Sequence, residues 1–270
     1  MIKPKRRILR PDSNLGYVVQ WSDTHYPHID RVAERAVLQF SKDWMPDTHV
    51  FIGDCLDLSS ISRWSKKAFI EQYTDPVINS FIEFGNALEA IRKINPNSRL
   101  IWIWGNHDER LDAFVQEFPA WRGIADDVVG LIKQYGKTDV IDDVEIVRIE
   151  DIEDDFTIGK MHYYHGTRSN KHVAAAMVEA YDESITFGHS HTMQSFAKSK
   201  RGQFRMGFCI GNMVSRAGRK YTKGSPFSWV TGFAFMEYNK HSGEFTQHLL
   251  PIVNGKFRFG GKTYDGNKKG

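Results

Sequence analysis

Three apolar runs with abrupt polar ends constrain this chain more than any other feature. "GYVVQWSDTH" (16–25), "THVFIGD" (48–54) and "RLIWIWGNHD" (99–108) read as strands. Between the first two, "DRVAERAVLQFSKDW" (30–44) carries Val32, Ala36, Val37 and Phe40 at helical spacing. Before the third, "DPVINSFIEFGNALEAIRKI" (75–94) reads as a helix, its N-cap expected at Asp75 ahead of Pro76. A β-α-β-α-β rhythm with continuously apolar strands predicts parallel strands buried on both faces and joined by crossover helices, an α/β fold.

The second half changes character. Strands are expected in 143–150, 156–166, 183–192, 203–212 and 230–239, with one helix near 171–181 and a final hairpin in 254–264, and together they predict a second, largely antiparallel sheet. With no repeat and no linker-like segment, residues 1–270 read as a single domain, with a flexible basic leader (1–14) and tail (265–270). The formal charge of +3 neither demands nor excludes a polyanionic partner, and "KPKRR" (3–7), "KSKR" (198–201) and "KK" (268–269) read as solvated tails and a solvated loop. Two distant cysteines, no signal-like segment and no apolar run long enough for a bilayer point to the reducing cytoplasm and to no membrane role. Cys55 reads as a small packing residue.

The polar strand ends carry the chemistry. They are Asp23-Thr24-His25, Gly53-Asp54-Cys55-Leu56-Asp57, Gly105-Asn106-His107-Asp108, His165-Gly166 and Gly188-His189-Ser190-His191. Strand alternation puts i and i+2 on one face, so Asp23 with His25, and His189 with His191, each present as a ligand fork. In an open parallel sheet such ends lie along one edge, where ligands bind. Carboxylates and imidazoles with one neutral amide, and no thiolates, suit a pair of divalent first-row metals, and two metals ~3.5–4 Å apart suit phosphoester hydrolysis. His28, His49, His162, His172, His241 and His248 read as ordinary hydrogen-bonded residues.

As an ordered set over residues 23–191, these motifs resemble those of the calcineurin-like metallophosphoesterases, especially the compact bacterial and bacteriophage members. The resemblance implies a four-layer α-β-β-α sandwich of two mixed sheets with a dinuclear metal site at the strand ends. It implies that Asp23, His25 and His191 hold one metal, that Asn106, His165 and His189 hold the other, and that Asp54 bridges them. It makes a metal-bound hydroxide the nucleophile and His107 the group that meets the phosphate and protonates the leaving oxygen, with Asp108 orienting His107. Asp57 is expected behind a ligand, fixing its orientation. Manganese is the first expectation for the metals, with iron, zinc or nickel as alternatives. Glu109 and Arg110 are expected in the first turn of the next helix.

The serine/threonine phosphatases of that family carry Asp-Arg-Gly after the second motif, whereas this chain has Asp57-Leu58-Ser59. Loss of that phosphate-clamping arginine argues against phosphoprotein substrates. The favoured reading is a phosphodiesterase or phosphatase on nucleotides or small phosphoesters. The alternatives are a DNA nuclease resembling double-strand-break repair exonucleases and a catalytically inactive scaffold. In "SSISRWSKKAF" (59–69), Arg63, Lys66 and Lys67 suit a phosphate and Trp64 a base, although an amphipathic lid with solvated charges fits equally well. Arg168 and Lys171, just after His165, are further substrate-binding candidates. Protein partners are left open.

Overall fold

The first strand shows how the layers arise. β1 (Leu15–Ser22) sends Tyr17, Val19 and Trp21 to one face and Val18 and Gln20 to the other, and all five are buried. Such a strand needs cover on both sides. On the Tyr17 side, α1 (Arg31–Trp44) and α2 (Val77–Ile94) bring Phe40, Phe81, Phe84 and Leu88 against Trp21, Phe51 and Trp102. On the other side, Val18, Val50, Ile52, Ile101 and Ile103 meet Ile158, Met161, Tyr163, Phe208 and Ile210 of a second sheet. The outer face of that sheet is closed by α5 (Val173–Tyr181), whose Val173, Ala174, Met177 and Val178 pack on Ile185, Phe187 and Cys209. The chain is therefore a four-layer α-β-β-α sandwich.

The fold is a computed structural model that describes residues 14–62, 75–125, 127–149, 156–215 and 228–268. Its first sheet has the order β11 (Phe245–Pro251), β10 (Gly232–Asn239), β1, β2 (Thr48–Ile52), β3 (Arg99–Ile103), β4 (Val144–Val147). Strands β1 to β4 run parallel, and β10 pairs antiparallel with β1. The second sheet has the order β5 (Thr157–Ile158), β6 (Met161–Tyr163), β7 (Ile185–Phe187), β9 (Gln203–Ile210), β8 (Met193–Lys200). A hairpin of β12 (Lys256–Phe259) and β13 (Lys262–Asp265) packs Phe257 and Tyr264 against Phe40 of α1. Between β3 and β4 lie α3 (Arg110–Glu117) and α4 (Val128–Gly136), the latter stacking Tyr135 on Phe81 of α2. No helix of the described residues is long and apolar enough to cross a membrane.

Several local expectations change. The second sheet is mixed, because β6, β7 and β9 are parallel, while the strands expected in 143–150 and 230–239 extend the first sheet instead. Apolar alternation marks a strand but not the sheet it joins. Residues 156–166 form a hairpin that turns at Gly159, at φ 61°, rather than one strand. Asp75 does not cap α2: Pro76 occupies that position, and the Asp75 carboxylate lies 3.4 Å from His28 Nε2. Lys198 and Lys200 end β8, so "KSKR" is edge strand and turn rather than loop. At the C-terminus, Arg35 and Gln39 of α1 donate to the carbonyls of Gly266 and Asp265, which ties residues expected as a loose tail to the body.

His49 lies wholly buried at the far end of β2 from the polar strand ends. Its Nδ1 accepts from Trp21 Nε1 at 3.1 Å and its Nε2 donates to Asn95 Oδ1 at 3.0 Å, so the neutral ring satisfies both neighbours. Burial pushes its pKa down to about 4, with Arg92 adding to the effect against the Asn95 bond. A lowered histidine pKa contributes stability that is complete above the unfolded value, near 6.5, and is lost as pH falls from there toward 4. Urea unfolding at stepped pH should show His49→Gln, which can keep both bonds, losing roughly 3 kcal/mol less than the native chain across that window.

Candidate metal centre

The loops beyond β1 and β2 stay paired after the strands end. Asp23 N donates to Gly53 O, His25 N to Asp54 O, Tyr26 N to Cys55 O and Asp57 N to Tyr26 O, at 2.7 to 3.2 Å. Met213 N bonds Asp23 O, and Gly188 N bonds His165 O. These bonds draw the polar strand ends to one edge of the sandwich.

The side chains do not converge by strand alternation. Asp23, His25, Asp54, His189 and His191 all lie beyond the strands in left-handed backbone, with φ between 46° and 63°. Non-glycine residues avoid that region, and each such residue costs of order 1 kcal/mol or more. His189 and His191 consequently face different groups of ligands instead of forming one fork. Close approach requires glycine at two points. A methyl at Gly105 would overlap the Asp54 carboxylate and the His165 ring, and one at Gly188 would overlap Ser22 Oγ and Asp23 Oδ2.

Two ligand groups result. Asp23, His25 and His191 offer atoms within 4.8 Å of one another, with His191 Nε2 3.0 Å from Asp23 Oδ1 and 3.3 Å from His25 Nε2. Asp54, His165 and His189 form the second group, and Asn106 Oδ1 lies 3.0 Å from His189 Nδ1. Asp54 stands between them, its Oδ2 3.3 Å from His165 Nε2 and 3.8 Å from His25 Nε2.

The ring orientations fit a cation. His25 Nδ1 is engaged by Asp57 Oδ1 at 3.0 Å, and His165 Nδ1 donates to Ile52 O at 3.0 Å. Both rings then turn Nε2 inward, the atom a metal would take in place of a proton. His165 Nε2 is buried without a hydrogen-bond partner. Oxygen and imidazole donors without thiolate match a first-row divalent ion.

The charges are strongly interdependent. Burial works against the ionised form of Asp23 and Asp54, yet His191 beside the first and His165 beside the second hold both carboxyls below their usual range. Burial alone would discharge His165, but Asp54 raises its pKa to about 10. His189 is pushed down by burial and by the nearby His165 charge. Within the two groups the countercharge resolved in the bare chain is the proton that Asp54 draws onto His165.

His107 sits beside both groups, its Nε2 3.9 Å from Asp54 Oδ2 and its backbone N donating to Asp54 Oδ1 at 2.8 Å. Asp108 does not orient it. The Asp108 carboxylate turns into the core and accepts from Leu56 N, Gly105 N and Trp102 Nε1, because adjacent residues in this turn project to opposite sides. Asp57 takes that place, with Oδ1 3.3 Å and its carbonyl 3.1 Å from His107 Nδ1. Asp57 therefore holds two imidazoles, His25 and His107.

Arg110, expected only as helix, is a member of the site: Nη2 donates to His107 Nε2 at 2.7 Å and Nη1 to Asp57 O at 2.6 Å. Its position four residues beyond Asn106, where α3 begins, is the signal that was available. Trp229 is a second addition, packed on His191 with ring centroids 4.0 Å apart. Arg168 and Lys171 are exposed, and Lys171 offers its carbonyl to Gln194. Arg63, Trp64, Lys66 and Lys67 lie outside the described residues.

No family model matches the sequence. The Gene 54 protein of Mycobacterium phage L5 is 24% identical over 264 residues, spanning 92% of this chain and 98% of its own length. The Gene 54 protein of Mycobacterium phage D29 is 23% identical over 278 residues, with the same coverage. Among solved structures, Vps29 from Entamoeba histolytica, complexed with Zn2+, aligns with 93% of this chain and 99% of its own at a TM-score of 0.43 and 14% identity. YfcE, a phosphoesterase from E. coli, aligns with 86% of this chain and 98% of its own at a TM-score of 0.36 and 13% identity.

The Asp108 geometry predicts a structural role. Asp108→Ala removes the acceptor for three buried N–H groups and should cost at least about 2 kcal/mol, read as a lower urea midpoint at constant m.

Proposed function

We propose that this chain is a two-metal phosphoesterase of the calcineurin-like metallophosphoesterase family, with residues 1–270 acting as one catalytic unit. The observation that carries the reading is the convergence of Asp23, His25, Asp54, Asn106, His165, His189 and His191 from five separate strand ends, with Asp54 central and imidazole Nε2 atoms turned inward. Asp23, His25 and His191 would hold one ion and Asn106, His165 and His189 the other, with Asp54 shared. Such a pair, manganese before iron, zinc or nickel, polarises a phosphoryl group and lowers the pKa of water.

The chain's own groups do the rest. Asp57 fixes the rings of His25 and His107 together, so one carboxylate aligns a ligand with the group that meets substrate. His107 Nε2 accepts from Arg110 Nη2 and would take up a proton once that bond is released, to pass it to the leaving oxygen. Asn106 brings a neutral oxygen, which leaves its ion more electron-poor than a carboxylate would.

A small phosphoester or nucleotide is favoured over DNA. The groove beside Asn106 is lined by Ile61, Ala113 and Phe114 together with Ser62, Glu109, Glu117 and a single cation, Arg110, which suits one phosphate with one organic group better than a polyanionic strand.

Hydrolysis of bis(p-nitrophenyl) phosphate by the purified chain supplied with manganese, nickel, zinc or iron tests the reading. Activity that depends on added metal is expected, and its absence with all four ions defeats the enzyme. His107→Ala should lower kcat by roughly 100-fold or more while divalent-ion affinity is kept. Parallel assays on cyclic nucleotides, single-stranded DNA and duplex DNA should favour the nucleotides.

A further inference from the structure

Arg110 bridges the Asp57 loop and His107 without a direct contact to a carboxylate. Its two hydrogen-bond acceptors are the Asp57 carbonyl and His107 Nε2, neither of them a carboxylate. Among the described residues Arg110 has no carboxylate within ion-pair distance, as Arg35, on the Gly266 carbonyl, also has none, while Arg31, Arg92, Arg99, Arg148 and Arg205 each have one. It is half-buried, so this charge is maintained in a poorly solvated place. It is also one imidazole away from Asp54, since His107 Nε2 lies 3.9 Å from Asp54 Oδ2.

The same side chain lines the groove of about 310 Å³ that opens beside Asn106 and runs along Ala113 and Phe114. A guanidinium between an open groove and a cluster of candidate metal ligands is placed to meet an anion that reaches the cluster through that groove. Planar N–H donors match the non-bridging oxygens of a phosphate.

We propose that Arg110 is the phosphate-binding arginine of this site, gripping a non-bridging oxygen of the ester while the groove along Phe114 receives the organic group. The inference rests on the phosphoesterase reading. It places the clamp at the start of α3, where the chain lacks an arginine directly after Asp57. With no anion present, Nη2 rests on His107 Nε2. When phosphate arrives, Nη1 keeps its bond to the Asp57 carbonyl and Nη2 swings to the phosphate, which frees His107 Nε2 to take up from solvent the proton it passes to the leaving oxygen.

The test compares the native chain with Arg110→Ala and Arg110→Lys in three measurements: calorimetric Mn2+ binding to metal-free protein, calorimetric binding of inorganic phosphate to Mn2+-loaded protein, and kcat and KM on bis(p-nitrophenyl) phosphate. Arg110→Ala should leave Mn2+ affinity within about twofold, weaken phosphate roughly 10- to 100-fold and raise KM, with partial recovery in Arg110→Lys. Unchanged phosphate affinity and KM in Arg110→Ala overturn the proposal and leave the two-metal reading intact. A parallel fall in Mn2+ and phosphate affinity also overturns it, by making Arg110 a strap between loops. If the native chain binds no Mn2+, the two-metal reading fails on its own. Phosphate titrated onto metal-free native and Arg110→Ala protein then decides the clamp, and equal affinity, or none in either, overturns it.

Discussion

The Asp54 carboxylate is the interaction on which the rest of this sheet edge depends. It is buried, and its Oδ1 accepts from His107 N while its Oδ2 faces the Nε2 atoms of His165, His25 and His107. A carboxylate removed from water costs several kcal/mol unless countercharge and hydrogen bonds surround it. Here they come from the loops after β1, β3 and β6, so one side chain ties together the ends of strands from both sheets. A divalent ion on either side of Asp54 would replace the protons that the imidazoles now supply. The edge is built for more positive charge than the chain itself provides.

The backbone is bent to that purpose. Five of the seven candidate ligands are non-glycine residues in left-handed conformation, which a segment selected for stability alone avoids. Strain persists only where the surroundings hold it in place. The holding is visible: the loops after β1 and β2 remain hydrogen-bonded to each other beyond the last strand pair, over a core of Trp21, Phe51 and Trp102. Aromatic burial in the helix-covered layer thus offsets conformational cost at the edge.

The layers and the cluster were both legible in the sequence because each rests on a strong local pattern. Continuous apolar runs imply strands covered on both faces, and glycine-flanked carboxylates and imidazoles at successive strand ends imply convergence. What the pattern does not carry is direction. Whether Val144–Val147 joins β3 or a second sheet depends on how α3 and α4 cross over, and nothing in the four residues states it. Likewise Asp23 and His25 meet, and His189 and His191 part, through alternating left-handed residues, which spacing alone cannot distinguish from a pleat. Arg110 escaped notice as a site member because its role depends on the Asp57 loop, 53 residues away in sequence.

The contrast between Asp57 and Asp108 shows why the orienting role that the resemblance implies for Asp108 falls to another carboxylate in this structure. Asp108 follows His107 in a turn, and consecutive residues there project away from each other, so its carboxylate reaches back to the backbone of Gly105 and Leu56. Asp57, from another strand end, approaches His107 Nδ1 from the side and His25 Nδ1 at the same time. One carboxylate sets the shape of the loops and the other sets the direction of the rings. That separation has a physical advantage. Asp108, saturated by three N–H donors, holds the turn whether or not the cluster carries metal, whereas Asp57 keeps one buried oxygen, Oδ2, without a hydrogen-bond partner. That oxygen lies 3.6 Å from His28 Nε2, so a third imidazole stands close to the carboxylate that aligns the other two.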